Sequence, residues 1–190
     1  MRGVTTEALI FLGELDPEAV GPALEFATHY EPTPVDEANA LLDALTRTPE
    51  RTTFVDLGSG MGRVVLLAAE RPYRQVVGVE ISPALHEVAK ENRSRYPSGR
   101  LRCRDIRLVR GDAGSFVFPQ GDLAVYLYNP FRAPVVEAVV ARLAAHRGAV
   151  ALAYHTPLER AAIDAVPAFE PVAAFAFGAV WRKPAAVREA

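Results

Sequence analysis

The chain has 190 residues, of which 50% are hydrophobic and 23% are charged, and its formal net charge is −2. A chain of this length is expected to form one domain with a core that needs no cross-links. Its high apolar fraction and nearly cancelling charges exclude intrinsic disorder. The small net charge also excludes any overall attraction to nucleic acid or acidic lipid. Its single cysteine excludes a disulfide scaffold and favours a reducing cytoplasm, and its apolar runs are too short to predict a membrane span or a secretion signal.

Residues 1–50 predict an N-terminal helical lid. The clearest helix in this segment has Thr33 as its N-cap, Pro34 at the first helical position and acidic residues in its first turn, and it runs to Leu45. Pro49 then ends the segment. We therefore expect helices ahead of the main domain, which should occupy residues 51–184 and leave 185–190 as a tail.

From residue 53, short apolar segments alternate with helical patterns. The predicted strands are 53–57, 75–80, 105–109, 123–128, 149–154, 171–175 and 178–182, and the predicted helices are 61–70, 83–96, 133–146 and 157–165. Strands that are apolar on both faces and alternate with helices indicate a parallel sheet covered on both sides, in a Rossmann-like doubly wound α/β fold. The last connection is too short for a crossover helix, so the seven-stranded sheet should end in an antiparallel hairpin.

A glycine-rich loop at the first strand-to-helix turn is the strongest functional signal. Gly58, Gly60 and Gly62 stand where the backbone must turn sharply and let a ligand approach without a Cβ in the way. Glu80 ends the next strand, 20 residues after Gly60. An acid at that offset can accept hydrogen bonds from both hydroxyls of a ribose, so the pattern predicts a nucleoside cofactor.

Two residues separate the cofactor classes that share this geometry. The nicotinamide fingerprint has a third glycine three positions after the second, where this chain has Arg63. Asp56 lies two residues before the loop, where its charge disfavours a diphosphate and favours a ligand with an ammonium group. S-adenosylmethionine carries an ammonium group and a sulfonium and no phosphate, so we favour it over NAD.

Four segments in this order resemble the class I S-adenosylmethionine-dependent methyltransferases: 55–62, 77–82, 111–113 and 128–131. The resemblance covers about residues 50–182 and extends to small uncharacterised bacterial members and, in the cofactor motifs, to Rossmann-fold histone-lysine methylases. The resemblance implies which residues contact each part of the cofactor. The ribose would be bound by Glu80, and the adenine by Ile81, Asp112 and Ala113. The methionine part would be bound by Asp56, Gly58, Ser59, Gly60 and Gly62. By the same resemblance Tyr30 and Thr33 belong to the lid over the cofactor.

The segment after the fourth strand is the first candidate for catalysis. Methylases of amino groups carry an Asp/Asn-Pro-Pro-aromatic tetrad there, whereas this chain has Phe131 in place of the second proline and Arg132 in the aromatic position. Asn129 is therefore either a contact to the acceptor and the cofactor or part of a turn that closes the methyl site. His155, at the end of the fifth strand, is a candidate general base or a loop residue.

The other site residues also have structural interpretations. Asp56 could stabilise a helix N-terminus, Asp112 could form an ordinary turn, and Tyr30 could pack as a hydrophobic staple. Eight cations between residues 90 and 110 form either a solvated face or a patch for an anionic partner. The histidines show no metal-ligand spacing, so no metal site is predicted.

The sequence thus predicts a methyltransferase that uses S-adenosylmethionine as its cofactor. We expect the acceptor to be a small molecule first, a protein side chain second and RNA third. The alternatives are an NAD-dependent Rossmann oxidoreductase and a protein that binds the cofactor without catalysis.

Overall fold

The computed structural model describes residues 4–6, 32–46, 48–128 and 131–186. A seven-stranded sheet forms its centre, with the strand order β3-β2-β1-β4-β5-β7-β6. The strands are β1 Thr52–Leu57, β2 Gln75–Glu80, β3 Ile106–Arg110, β4 Asp122–Tyr128, β5 Val150–His155, β6 Glu170–Phe175 and β7 Gly178–Lys183. The helices are α1 Val35–Leu45, α2 Arg63–Ala69, α3 Pro83–Arg95, α4 Ala133–Ala144 and α5 Arg160–Asp164.

The direction of the strands confirms the predicted fold. β1 to β5 are parallel neighbours, whereas β7 pairs antiparallel with both β5 and β6. Because β1 and β4 are adjacent at the centre, the chain reverses its direction of travel across the sheet between them. Ligands of such sheets bind beyond the carboxyl ends of the strands at this reversal. None of the helices that the structure describes is long and apolar enough to cross a membrane.

Two apolar layers cover the sheet. On one face, α1 and α2 pack with inward residues such as Phe54 and Ala124, and on the other face α4 and α5 pack with residues such as Val55 and Val125. The strands β1 and β4 are buried along almost their whole length, as double coverage requires. The central strands are thus held between two cores, and their carboxyl ends are fixed relative to one another.

Several helix ends differ from the sequence predictions. Thr33 is not the N-cap of α1: Pro34 takes that position, and no side chain caps the helix. Residues 61–62 belong to the glycine turn, where Gly62 has a left-handed backbone that cannot continue a helix. The last two helices are also shorter than predicted, since α4 ends at Ala144 and α5 covers only Arg160–Asp164.

Gly78, in the middle of β2, lets the glycine turn pack directly on the sheet. A Cβ at this position would lie 2.6 Å from Val65 Cγ2 and 2.9 Å from Ser59 Oγ. Both distances are shorter than any normal contact, so a side chain here would push the turn and α2 away from β2. Sequence reasoning missed this role, although a glycine inside a strand is a known sign of close backbone approach.

We predict that Gly78→Ala lowers the free energy of unfolding by about 1–3 kcal/mol, because overpacking forces the turn and α2 to shift. Chemical denaturation measures the change. Gly99→Ala is the matched control, since a Cβ there meets nothing within 4 Å. An unchanged unfolding free energy in Gly78→Ala would contradict the packing described here.

Candidate functional site

The glycine loop, residues 58–62, joins β1 to α2 and crosses the carboxyl end of β2. The amides of Gly58 and Ser59 both donate to the carbonyl of Val79, at 2.9 and 3.0 Å. Gly58, Gly60 and Gly62 have φ values of 78°, 52° and 81°, in the left-handed region that favours glycine. The loop therefore presents bare backbone at the edge where ligands of this fold bind.

Glu80 ties the loop to the next helix. Its Oε2 accepts a hydrogen bond from the Gly60 amide and its Oε1 accepts one from the Ser82 amide, both at 2.8 Å. The side chain is buried, and burial raises the pKa of its carboxyl while the backbone amides lower it. Each carboxylate oxygen can accept more than one hydrogen bond, so Glu80 keeps the capacity to bind two ribose hydroxyls.

Asp56 lies near the end of β1, below the loop. Burial, together with the charge of Glu80, raises the pKa of its carboxyl to about 8. No cation among the described residues lowers the pKa of Asp56 in return, so the site favours a ligand that brings a positive group. An ammonium group, as in the methionine part of the predicted cofactor, meets that requirement.

The predicted adenine turn lies beside Glu80. The Gly111 amide donates to the Glu80 carbonyl at 3.0 Å, which joins the end of β3 to the end of β2. Asp112 Oδ1 accepts a hydrogen bond from the Gly114 amide at 2.9 Å, as in an ordinary turn, and Ala113 is buried in the core. The second carboxylate oxygen of Asp112 remains available to an amino group. Ile81, half-buried, follows Glu80 directly.

Sequence reasoning missed the role of Arg63, the first residue of α2. Its guanidinium donates to the Thr33 carbonyl at 2.8 Å and to the Thr6 carbonyl and hydroxyl at 2.9 and 3.1 Å. Asn92, on α3, exchanges two hydrogen bonds with the backbone of Thr5 and also donates to Met61. These side chains hold residues 4–6 and 32–34 against the glycine loop. An arginine at the start of a fully apolar helix was the available signal.

His155 ends β5 beside Tyr128, its cross-strand neighbour at the end of β4. Its Nε2 lies 2.6 Å from the Glu37 carboxylate and its Nδ1 lies 3.0 Å from the Thr156 hydroxyl. The imidazole is buried and its centre lies 4.3 Å from that of the Tyr128 ring. Thr156 has a φ of 47°, a strained value for a β-branched residue. Neither partner of His155 was identified from the sequence.

The remaining predictions have mixed outcomes. Thr33 is buried beside Arg63 at the site, whereas Tyr30 and Asn129 lie outside the described residues. Half of the eight cations between residues 90 and 110 are paired with nearby acids: Lys90 with Glu87, Arg95 with Glu91, Arg100 with Glu70, and Arg107 with Asp105. In the part of the chain that the structure describes, no group of three His, Cys, Asp or Glu side chains could hold a metal ion.

The comparison with protein families gives a match over the centre of the chain. A family model described as a methyltransferase domain matches residues 54–147, which include the glycine loop, Glu80 and the Asp112 turn. This segment is a methyltransferase domain of the class I S-adenosylmethionine-dependent type. The predicted family is confirmed, and so is S-adenosylmethionine as its cofactor; the NAD-dependent alternative is set aside.

Three similar proteins differ in what they methylate, by their names. A release factor glutamine methyltransferase of Geobacter sulfurreducens is 42% identical over 55 residues, which are 28% of this chain and only 19% of that protein. An RNA methyltransferase from Salinibacter ruber, solved in complex with S-adenosylhomocysteine, is 20% identical to this chain in sequence. The two structures superpose with a TM-score of 0.58, over 84% of this chain and 98% of the other. Magnesium protoporphyrin IX methyltransferase from Synechocystis, with bound S-adenosylmethionine, is 16% identical, with a TM-score of 0.56 over 78% and 76%. Likeness to these two structures concerns the fold.

We predict that Arg63→Met lowers the free energy of unfolding by about 2–4 kcal/mol, because hydrogen bonds to a charged group contribute roughly 1.5–3 kcal/mol each and the Thr33 carbonyl would lose its donor. Hydrogen exchange at the Thr5 and Thr6 amides should also become faster. Arg104→Met, at an exposed position, is the control and should change neither measurement. Exchange protection that survives in Arg63→Met would contradict the role given to Arg63.

Proposed function

We propose that this chain transfers the methyl group of S-adenosylmethionine to a small-molecule acceptor, with a protein side chain as the second candidate and RNA as the third. The observation that carries the proposal is the tie between Glu80 and the glycine loop. It gathers bare backbone, a buried acid and the adenine turn at one edge of the sheet. Residues 1–50 would form the lid and 51–184 the catalytic domain, in the cytoplasm.

The cofactor would lie along this edge in the order of the strands. Asp56 and the backbone of Gly58, Ser59, Gly60 and Gly62 would hold its methionine part, Glu80 its ribose hydroxyls, and Ile81, Asp112 and Ala113 its adenine. Tyr30, Thr33 and Asn129 would close over it. Three features of the structure fit this ligand: the left-handed backbone of the glycines, the buried Asp56 carboxyl group that no described cation neutralises, and the unused acceptor capacity of Glu80.

The cofactor supplies a methyl group already activated on a sulfonium. The protein therefore needs to orient the acceptor in line with that bond and exclude water, and a general base is required only when the acceptor carries a proton. The carboxylates of Asp56 and Glu80 attract the cationic ligand. The end of β4, where Tyr128 precedes Asn129, would position the acceptor.

His155 is the proposed general base for an acceptor that must lose a proton. Glu37 would stabilise the imidazolium and fix the ring, since its carboxylate lies 2.6 Å from Nε2. The exposed Thr156 residue places its hydroxyl on Nδ1, so a proton from the acceptor would reach His155 through this hydroxyl. Asn129 would accept a hydrogen bond from the acceptor at the neighbouring strand end.

The sequence after β4 is the reason to rank a small molecule above a glutamine or adenine amino group. Phe131 and Arg132 depart from the Asp/Asn-Pro-Pro-aromatic tetrad of the amino-group methylases. The similar proteins act, by their names, on a release factor, on RNA and on a protoporphyrin, so they do not select one acceptor class.

Methyl-labelled S-adenosylmethionine, incubated with the protein and with the small-molecule, protein and RNA fractions of a cell extract, tests the function. Label should move to the small-molecule fraction at a rate proportional to enzyme concentration. No transfer to any fraction, by a protein that binds S-adenosylhomocysteine in calorimetry, would favour a binding protein without catalysis.

We predict that Glu80→Gln weakens binding of S-adenosylmethionine about 100-fold, because charge-assisted hydrogen bonds to the ribose contribute roughly 1.5–3 kcal/mol each. The side-chain NH2 of the new glutamine would also face one of the two backbone amides that donate hydrogen bonds to Glu80, so two donors would meet. Calorimetry measures the affinity. Glu87→Gln, on the solvent side of α3, is the control with unchanged affinity. Equal binding by both variants would refute the site.

We predict that affinity for S-adenosylmethionine increases as the pH rises toward about 8 and falls again at higher pH, where the ammonium group of the ligand loses its proton. Asp56, whose pKa is raised to about 8, is mostly protonated below that pH and must ionise to attract the ammonium group. Affinity should fall by up to about tenfold per pH unit below 8. In Asp56→Asn the affinity should be lower and its pH dependence reduced, and a wild-type slope retained in this variant would contradict the assignment.

A further inference from the structure

We propose that the Tyr126 hydroxyl is a further contact for the cofactor and accepts a hydrogen bond from the ammonium group of its methionine part. This inference rests on the proposed function, because it concerns the same ligand. Nothing in the glycine motif or in the similarity to other proteins assigns a role to this tyrosine.

Tyr126 lies in the middle of β4 and is fully buried. Its hydroxyl forms no hydrogen bond of normal length and angle with any residue that the structure describes, although the Thr33 side chain lies beside it and lowers its pKa as a hydrogen-bonding neighbour. Burial raises that pKa well above the usual value for tyrosine, so the hydroxyl is neutral. A buried hydroxyl without a partner is costly, and such atoms usually mark a missing ligand or water.

The position of Tyr126 in the sheet points to the methionine end of the site. Tyr126 and Asp56 are directly paired neighbours in the parallel strands β4 and β1. Paired neighbours of a sheet direct their side chains to the same face, which here is the face covered by α1. Asp56, Glu37 and Tyr128 are the charged and titratable groups that act on the hydroxyl. The hydroxyl therefore lies on the same face of the sheet as Asp56 and close to the Thr33 side chain.

The chemistry of this position fits an ammonium group. A primary ammonium has three hydrogen-bond donors and no acceptor, and Asp56 can satisfy only part of that requirement. A neutral hydroxyl oxygen beside the carboxylate accepts a further hydrogen bond without adding negative charge to a site that already holds Asp56 and Glu80. The same hydroxyl can still donate its proton. The bound ligand would thus give the Tyr126 hydroxyl the partner that no described residue provides.

A second buried tyrosine provides the matched control. The Tyr73 hydroxyl is also without a hydrogen-bond partner among the described residues, and its ring packs 5.3 Å from that of Phe54. Tyr73 precedes β2, however, so it lies at the amino ends of the strands, opposite the cofactor edge. Replacing either tyrosine by phenylalanine removes one buried, unsatisfied hydroxyl and leaves the ring in place.

The experiment measures calorimetric binding of S-adenosylmethionine and S-adenosylhomocysteine to wild type, Tyr126→Phe and Tyr73→Phe, together with the melting temperature of each protein without ligand. Tyr126→Phe should bind both ligands about tenfold or more weakly, since both carry the ammonium group. Its melting temperature should be equal to or above that of wild type, because a partnerless polar group is lost. Tyr73→Phe should bind both ligands with wild-type affinity.

Several results would overturn the inference. Wild-type affinity in Tyr126→Phe would show that the hydroxyl makes no contact, and the proposed function would stand. A loss confined to S-adenosylmethionine would place the hydroxyl near the sulfonium instead. A similar loss in Tyr73→Phe, or a lower melting temperature in Tyr126→Phe, would indicate a structural role. If wild type binds neither ligand, the proposed function fails as well.

Discussion

The hydrogen bonds of the Glu80 carboxylate to Gly60 and Ser82 hold the proposed cofactor edge of this protein together. They join the loop after β1 to the start of α3, and the backbone of Glu80 itself is bonded to the turn after β3. The ends of β1, β2 and β3 are therefore joined through one residue. A carboxylate kept buried by backbone amides is oriented before any ligand arrives, which reduces the ordering that binding requires.

The N-terminal segments contact both the glycine loop and the end of β5, where an acceptor would bind. Arg63 and Asn92 hold residues 4–6 and 32–34 to the glycine loop. A few residues later, Glu37 of α1 bonds to His155 at the end of β5. The same short stretch of chain thus contacts both the cofactor loop and the strand ends where an acceptor would bind.

The sequence was sufficient for those features that local chemistry determines. Apolar strands alternating with helices predict a covered parallel sheet, and three closely spaced glycines predict a sharp backbone turn open to a ligand, so the fold and the cofactor edge follow from residues 53–182. The short connection between β6 and β7 predicts their hairpin in the same way. Each of these depends on neighbours within a few residues.

The features that could not be predicted depend on distant parts of the chain. Glu37 and His155 are separated by 118 positions, and Arg63 and Thr6 by 57, so no spacing rule relates them. Thr33 was expected to cap α1, but its carbonyl accepts from Arg63 and Pro34 takes the cap position instead. The empty hydrogen-bonding capacity of Tyr126 likewise becomes visible only when β1 and β4 are paired.

The central claim is that S-adenosylmethionine binds across the carboxyl ends of β1 and β2, with Glu80 on the ribose. A crystal structure of the protein with S-adenosylhomocysteine tests this most directly. Both ribose hydroxyls should lie within hydrogen-bond distance of the Glu80 carboxylate, and the adenine should lie between Ile81 and the Asp112 turn. A ligand bound at another edge of the sheet, or one whose ribose does not contact Glu80, would contradict it.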